Sequence, residues 1–353
     1  ARRHEEVRLA DLLLLELGDR IEDTYAAIGE LIGGDPSEIS MSDNATRAWD
    51  MAFYGLDLGP GDRILTTSTE YSSNLAAYFD ARDRRGVAVD VVPDTSSGEL
   101  DIEALETMID DRVRLISVNH IPTSSGIVEP VAEVGRLARS HGIPFLLDAC
   151  QSVGHLPVDV GDIGCDMLSA TSRKYLRGPR GVGFLWVRPS LARKLHPPFV
   201  ELESGDITHD GFRLHEDRRR FETWEKNYAG IAGLGVAVRY AMDTGIDAVW
   251  ERIQMLARRL RLGLEDLGGV TVHDVGPVLG GIVTFSIDGF EASELMHRLR
   301  AESINVSVSS GLASPIDGHR RGLPDMVRAS VHAYNTEAEV DRLVAWVADH
   351  RRT

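Results

Sequence analysis

Lysine is almost missing from this chain. Of its 38 basic residues, only Lys174, Lys194 and Lys226 are lysines, so any chemistry needing a lysine amine has three candidates. Cysteine is scarcer still. Cys150 and Cys165 are too few for a disulfide framework or a cysteine-rich zinc site, and a reducing cytoplasm is the expected compartment. No apolar run approaches the roughly 18 to 20 residues of a membrane-spanning helix; Leu12 to Leu15 is far too short. Positive charge is in deficit, with 38 basic against 55 acidic residues and a net charge of −17, which argues against nonspecific binding to nucleic acid. Neither a G-x-G-x-x-G after the first strand nor a Walker loop occurs, which disfavours dinucleotide and P-loop chemistry. The start, Ala1-Arg2-Arg3-His4, has no initiator Met and no apolar signal core, and reads as a trimmed terminus.

What remains is ordinary globular composition, 43% hydrophobic and 26% charged over 353 residues, enough for one large α/β unit or two domains. Helical spacing over 5–33, with Leu12, Leu15, Ile21, Tyr25, Ile28 and Ile32, opens the chain. Strand-like runs then alternate with helices: strands at 63–67, 87–92, 115–118, 143–147, 167–170 and 183–187, and helices near 74–84, 101–110 and 131–140. That alternation predicts a mostly parallel sheet covered on both faces. Residues 200–220, crowded with Asp, His and Arg, read as a mobile surface segment. Beyond them, mainly helical 229–266 and a mixed stretch to the C-terminus suggest a smaller α+β domain. The expected division is a large domain over 15–240 and a small one over 241–353, joined by 1–14.

Several residues stand where chemistry is plausible. Lys174 follows an apolar strand ending near Ala170, at the rim where open α/β sheets bind ligands. A lysine amine condenses with aldehydes, and Arg173 beside it favours the neutral amine; a solvated surface lysine is the plainer alternative. Asp148 closes the buried run Ile143–Leu147, where a carboxylate needs a cation or several donors. A protonated pyridine nitrogen would serve, and so would a role as helix N-cap. Gln151 could donate to a phenolate oxygen or complete a capping box. Asn44-Ala45-Thr46 precedes a helix expected over Arg47–Gly55, an arrangement that binds anions or simply caps. Arg328, alternating with apolar residues in a half-buried strand, wants a carboxylate, either structural or from a substrate.

Three blocks in order carry a resemblance: Asp148-Ala149-Cys150-Gln151-Ser152-Val153-Gly154-His155, Lys174 through Phe184, and Arg328-Ala329-Ser330 followed by Tyr334-Asn335-Thr336. From about residue 40 onward the chain resembles fold-type I pyridoxal phosphate enzymes of the class V aminotransferase group, which includes cysteine desulfurases and isopenicillin N epimerase-like proteins. The resemblance implies an α/β fold with a mostly parallel seven-stranded sheet flanked by helices, a smaller C-terminal α+β domain, and a homodimer acting on a small amino-acid substrate. It implies that Lys174 bonds the cofactor aldehyde, Asp148 pairs with the ring nitrogen, and Gln151 and Thr123 lie near the phenolate oxygen. Ala45, Thr46, Thr171 and Arg173 would hold the phosphate, Tyr71 would stack on the ring, and Arg328 would take the substrate carboxylate.

The departures narrow the reading. Tyr71 stands where many desulfurases have histidine, Thr123 replaces an asparagine, and Arg173 replaces a phosphate-binding histidine. The loop that presents the persulfide-forming cysteine of desulfurases corresponds to Ser309–Ser314 and has none. Glu225 falls at or beside the position of a threonine that reaches the partner subunit's phosphate, and could shape substrate recognition instead. The expected activity is a lyase that cleaves a C–S bond in a cysteine-derived conjugate or sulfoxide, with Tyr71 as acid to the departing group. A class V aminotransferase or an epimerase is the alternative, and a non-catalytic binding protein the third.

Overall fold

The computed structural model describes residues 2–351, with side chains from Leu17 onward. Leu12 and Leu15, expected on the apolar face of the first helix, therefore lie outside the described side chains. Helix α1 runs from Arg2 to Ile32, and its buried Tyr25, Ile28 and Ile32 pack against the sheet core. Seven strands follow: β1 (Ile39–Ser42), β2 (Arg63–Thr66), β3 (Ala88–Val91), β4 (Val113–Asn119), β5 (Phe145–Asp148), β6 (Met167–Thr171) and β7 (Gly183–Val187). They form one sheet in the order β1-β7-β6-β5-β4-β2-β3. Strands β6, β5, β4, β2 and β3 are mutually parallel, while β7 runs antiparallel to both β6 and β1.

Alternate residues feed two separate cores. Leu65, Ile116, Leu147 and Leu168 face one side with α1; Ile64, Leu115, Leu146 and Met167 face the other with α2 (Ala45–Phe53) and α3 (Ser72–Arg85). Burial on both faces explains why the strands read as continuous apolar runs rather than alternating ones. In α2, Ala45, Ala48, Trp49, Ala52 and Phe53 are buried at helical spacing, and Trp49 stacks on Phe53 with ring centroids 4.7 Å apart.

The remaining strands make two smaller sheets. Residues 200–220, read as a mobile segment, contain a hairpin of β8 (Gly205–Thr208) and β9 (Gly211–Leu214). Ile207, Phe212 and Leu214 share one face and Asp206, Thr208 and Arg213 the other, but four-residue strands are too short for that alternation to stand out among the surrounding Asp, His and Arg. Strands β10 (Val270–Val272), β11 (Ile282–Ile287), β12 (Ser307–Ser309) and β13 (Met326–Ser330) pair in the order β10-β11-β13-β12. Helices Ile246–Glu265, Ala292–Ala301 and Glu337–His350 contribute residues to the core of this sheet. No helix among the described residues is long and apolar enough to cross a membrane.

Candidate active site

Chain order reverses across the large sheet between β2 and β4: β3 lies to one side of β2, and β4, β5 and β6 follow on the other. A crevice therefore opens beyond the carboxyl ends of these strands, where open α/β sheets bind ligands. The start of α3 supplies Tyr71 as its N-cap and Asn74 on its first turn, β4 and the loop after it supply Asn119, Ile121 and Thr123, and β5 and β6 end in Asp148 and Thr171. One pocket is lined by Ala45, Thr46, Tyr71, Thr123, Asp148, Gln151, Thr171, Arg173 and Lys174 together. Nine of the eleven residues singled out in the sequence thus share a single cleft.

Lys174 stands three residues past the end of β6 in a tightly held loop. Ser172 N–H donates to Val182 O at 3.1 Å, Gly178 N–H to Ser172 O at 2.9 Å, and Arg177 N–H to Lys174 O at 2.9 Å. Arg177 occupies the left-handed region with φ 59°, a conformation costing about 1–2 kcal/mol outside glycine. Its guanidinium lies 4.9 Å from the Tyr240 ring centroid. The Lys174 amine has no hydrogen-bond or ion-pair partner among the described residues.

Asp148 is 8% exposed at the floor. No helix follows it, so the N-cap reading does not hold; a tight turn begins there, and the carboxylate Oδ1 accepts from Cys150 N–H at 2.9 Å. Oδ2 accepts from Asn74 Nδ2 at 3.1 Å. Gln151 is buried and its Nε2 donates to Thr123 Oγ1 at 3.3 Å. Cys150 lines the same cleft. Burial, then the charge of Asp148, pushes its thiol well above the usual range, so it stays protonated at neutral pH.

The anion end of the cleft is the start of α2, which begins at Ala45 rather than Arg47. Asn44 Oδ1 accepts from Arg47 N–H at 3.0 Å, leaving the Ala45 and Thr46 amides without a protein acceptor among the described residues. The helix end comes this close because β7 opens with Gly183: a Cβ there would lie 2.6 Å from Asn44 C and 2.7 Å from Ala45 N. Free amides at a helix start with Thr171 and Arg173 alongside have the chemistry to receive an anion.

Arg328 approaches from the small sheet. It is paired in register with Thr284 of β11 and Ser307 of β12, and its Nη1 lies 3.5 Å from Thr123 Oγ1. Its Nε is buried without a partner, and burial lowers the pKa of the guanidinium from its usual value. A buried, incompletely satisfied guanidinium has the chemistry to pair with a carboxylate. Glu225, by contrast, is exposed and lines a different hollow with Met41, Gly181 and Lys226. Within one chain it does not meet the cleft.

Other contributors escaped the sequence reading. Asn74, Asn119 and Ile121 line the cleft, and Glu70 lies fully buried just behind it. Only their nearness to strand and helix ends marks them, and that signal is shared by many capping residues. His155 ties the two sheets together: Nδ1 donates to Gln151 O at 3.0 Å and Nε2 accepts from Gly281 N–H at 2.9 Å. Burial drives its pKa down to about 3, so the ring is neutral. It stacks 3.8 Å from Tyr175, the neighbour of Lys174.

Residues 8–343 match the family described as Aminotransferase class-V. Among curated relatives, "Probable cysteine desulfurase 2" of Mycobacterium leprae is 32% identical over 96% of this chain and 83% of its own length. The apo cysteine desulfurase of Thermococcus onnurineus NA1 superposes with a TM-score of 0.90 at 26% identity, over 95% of this chain and 84% of that one. A cystine C–S lyase, solved with its reaction product cysteine persulfide, gives a TM-score of 0.86 at 25% identity, over 96% of this chain and 88% of that one. The match of the family along nearly the whole chain, on a fold and cleft of this form, places the chain in the class V aminotransferase family.

Proposed function

We propose that this chain is a lyase that cleaves the Cβ–S bond of an S-substituted cysteine by α,β-elimination. The chain is a pyridoxal phosphate-dependent enzyme of class V. The cleft fits that cofactor: a free lysine amine, a carboxylate on the floor and a helix start with open amides answer an aldehyde, a pyridine nitrogen and a phosphate. Lys174 would bond the aldehyde, Asp148 would face the ring nitrogen, and Gln151 with Thr123 would lie near the phenolate oxygen. Ala45, Thr46, Thr171 and Arg173 would take the phosphate, with Tyr71 against the ring. When bound, pyridoxal phosphate supplies an electron sink conjugated to the substrate Cα.

The chain's own groups do the rest. Arg328 would fix the substrate α-carboxylate and so select which Cα bond is activated. The Lys174 amine would be placed to accept the Cα proton. Tyr71 donates a proton to the departing sulfur. The products are a thiol, a sulfenic acid from a sulfoxide or a hydropersulfide from a disulfide, and a three-carbon fragment that takes up water to give pyruvate and ammonia.

The observation that carries the choice of elimination is the absence of a sulfur acceptor. Ser309–Ser314 holds no cysteine, Cys165 is fully buried, and Cys150 is held as the thiol. The loop cysteine on which desulfurases form a persulfide therefore has no counterpart here, and sulfur leaves with the product. The cystine C–S lyase among the solved neighbours supports this reading. Incubation with cystine, S-alkyl cysteines and their sulfoxides is expected to release pyruvate and ammonia in equal amounts. Amino exchange that requires a keto acid, or deuterium entering Cα without pyruvate, would assign the chain to transamination or epimerisation instead.

A homodimer is part of the same proposal. Phe199, Leu202 and Trp224 are 61%, 57% and 60% exposed, close in sequence to Glu225. A second copy covering this face would bring Glu225 to the neighbouring cleft.

A further inference from the structure

Behind the floor of the cleft stands a second carboxylate that the proposed reaction does not use. Glu70 is 1% exposed. Its Oε1 accepts from Tyr71 N–H at 2.8 Å and Asn74 Nδ2 at 3.0 Å. Its Oε2 accepts from Thr66 Oγ1 and Tyr78 Oη, both at 2.9 Å. Asn74 Nδ2 also donates to Asp148 Oδ2 at 3.1 Å. One amide nitrogen thus bridges two buried carboxylates, and because both accept, Asn74 must turn its NH2 towards them.

We propose that Glu70 is a positioning residue that, through Asn74, turns Asp148 towards the cofactor ring nitrogen and adds a second negative charge behind it. This rests on the pyridoxal phosphate reading above. The logic is electrostatic: two buried carboxylates close enough to share the Asn74 amide have hydrogen-bond donors but no ion-pair partner among the described residues, and a cation beside Asp148 relieves both. A protonated ring nitrogen is that cation, so the wall of two carboxylates favours the protonated, electron-accepting ring. Glu70 also grips the Tyr71 amide, so a single buried group holds both the floor of the cleft and the residue expected against the ring face. Burial and the charge of Asp148 lift the Glu70 pKa to about 7. Asp148 is the charged group facing it; Tyr78, Thr66, Asn74 and the Tyr71 amide are its polar neighbours.

The test uses protein loaded with pyridoxal phosphate carrying 15N in the ring. In Glu70→Gln the ring-nitrogen resonance is expected to move towards the unprotonated position, and its titration midpoint to fall by about one pH unit or more. Glu70→Asp, which keeps the charge, recovers at least half of the shift. Glu129→Gln, which neutralises a buried carboxylate outside the cleft, leaves the midpoint unchanged. Folding is checked by circular dichroism. If Glu70→Gln does not fold, the wild type carries the test alone: with 13C-labelled glutamate near pH 7, loading must convert one buried glutamic acid to carboxylate in the infrared, since linkage between the two protons is reciprocal. A loaded Glu70→Gln with an unmoved midpoint, or an unchanged wild-type glutamate band, overturns the proposal while leaving the cofactor assignment intact. A wild type that binds no cofactor at all overturns both.

Discussion

Single residues decide whether the cleft can hold its ligands. Gly183 lets the start of α2 lie against β7; in Gly183→Ala the added methyl meets main-chain atoms of Asn44 and Ala45 that cannot turn away. Displacement of the helix start should weaken pyridoxal phosphate binding at least about tenfold in an absorbance titration, with a stability loss of about 1–3 kcal/mol. An unchanged dissociation constant would remove the α2 terminus from the phosphate site. Arg328→Lys keeps a positive charge but loses the planar fork, so kcat/KM should fall by about 100-fold, or ~2–3 kcal/mol, with the cofactor spectrum unaltered. Lys174, Asp148 and Arg328 were legible in the sequence because each is a residue type that needs a reason at a strand end or in a strand. Glu70 and Asn74 were not, because their meaning lies in bonds to residues of other elements, such as Asp148.

At the scale of elements, the segment between β2 and α3 is held by buried acids. Thr66 donates to Glu70, and Thr69 Oγ1 donates to Glu129 Oε1 at 3.0 Å. Segment 309–321 is fastened to the same stretch, where Asp317 N–H donates to Ser68 O at 3.0 Å and Ser314 Oγ to Thr69 O at 3.1 Å, and to the loop after β3, where Arg320 pairs with Asp94. Burial raises the Glu129 pKa from its ordinary 4.5 to about 7. The folded chain then keeps a proton that the unfolded chain gives up, so this group's contribution to stability is present at low pH and lost as pH rises through about 7. Glu129→Gln lacks that loss. Its melting temperature relative to wild type should rise between about pH 5 and about pH 8 and level off above; a difference that shrinks over this range would contradict the assignment. The helices and parallel strands were legible from apolar runs and their spacing. Strand β1 was not, since Ile-Ser-Met-Ser is short and half polar, and its place is fixed by pairing with β7 far along the chain.

For the molecule as a whole, alternating runs pointed to a mostly parallel sheet and the family resemblance to seven strands, and the reversal of strand order explains why the chemistry gathers at one crevice. What periodicity could not show is how the small sheet reaches over that crevice, because the contact of Arg328 with Thr123 spans elements with no shared pattern. Assembly remains a property of two chains. Sedimentation is expected to give twice the chain mass. Trp224→Glu, which places a charge on the exposed apolar face, should shift the protein towards monomer and weaken cofactor retention together. Dissociation with undiminished cofactor binding would show that each cleft is complete within one chain.

The most direct measurement is borohydride reduction of the protein loaded with pyridoxal phosphate, followed by peptide mass spectrometry. A phosphopyridoxyl group on Lys174, and on neither Lys194 nor Lys226, is the predicted result. Reduction that labels another lysine, or none in cofactor-saturated protein, would contradict the assignment of this cleft.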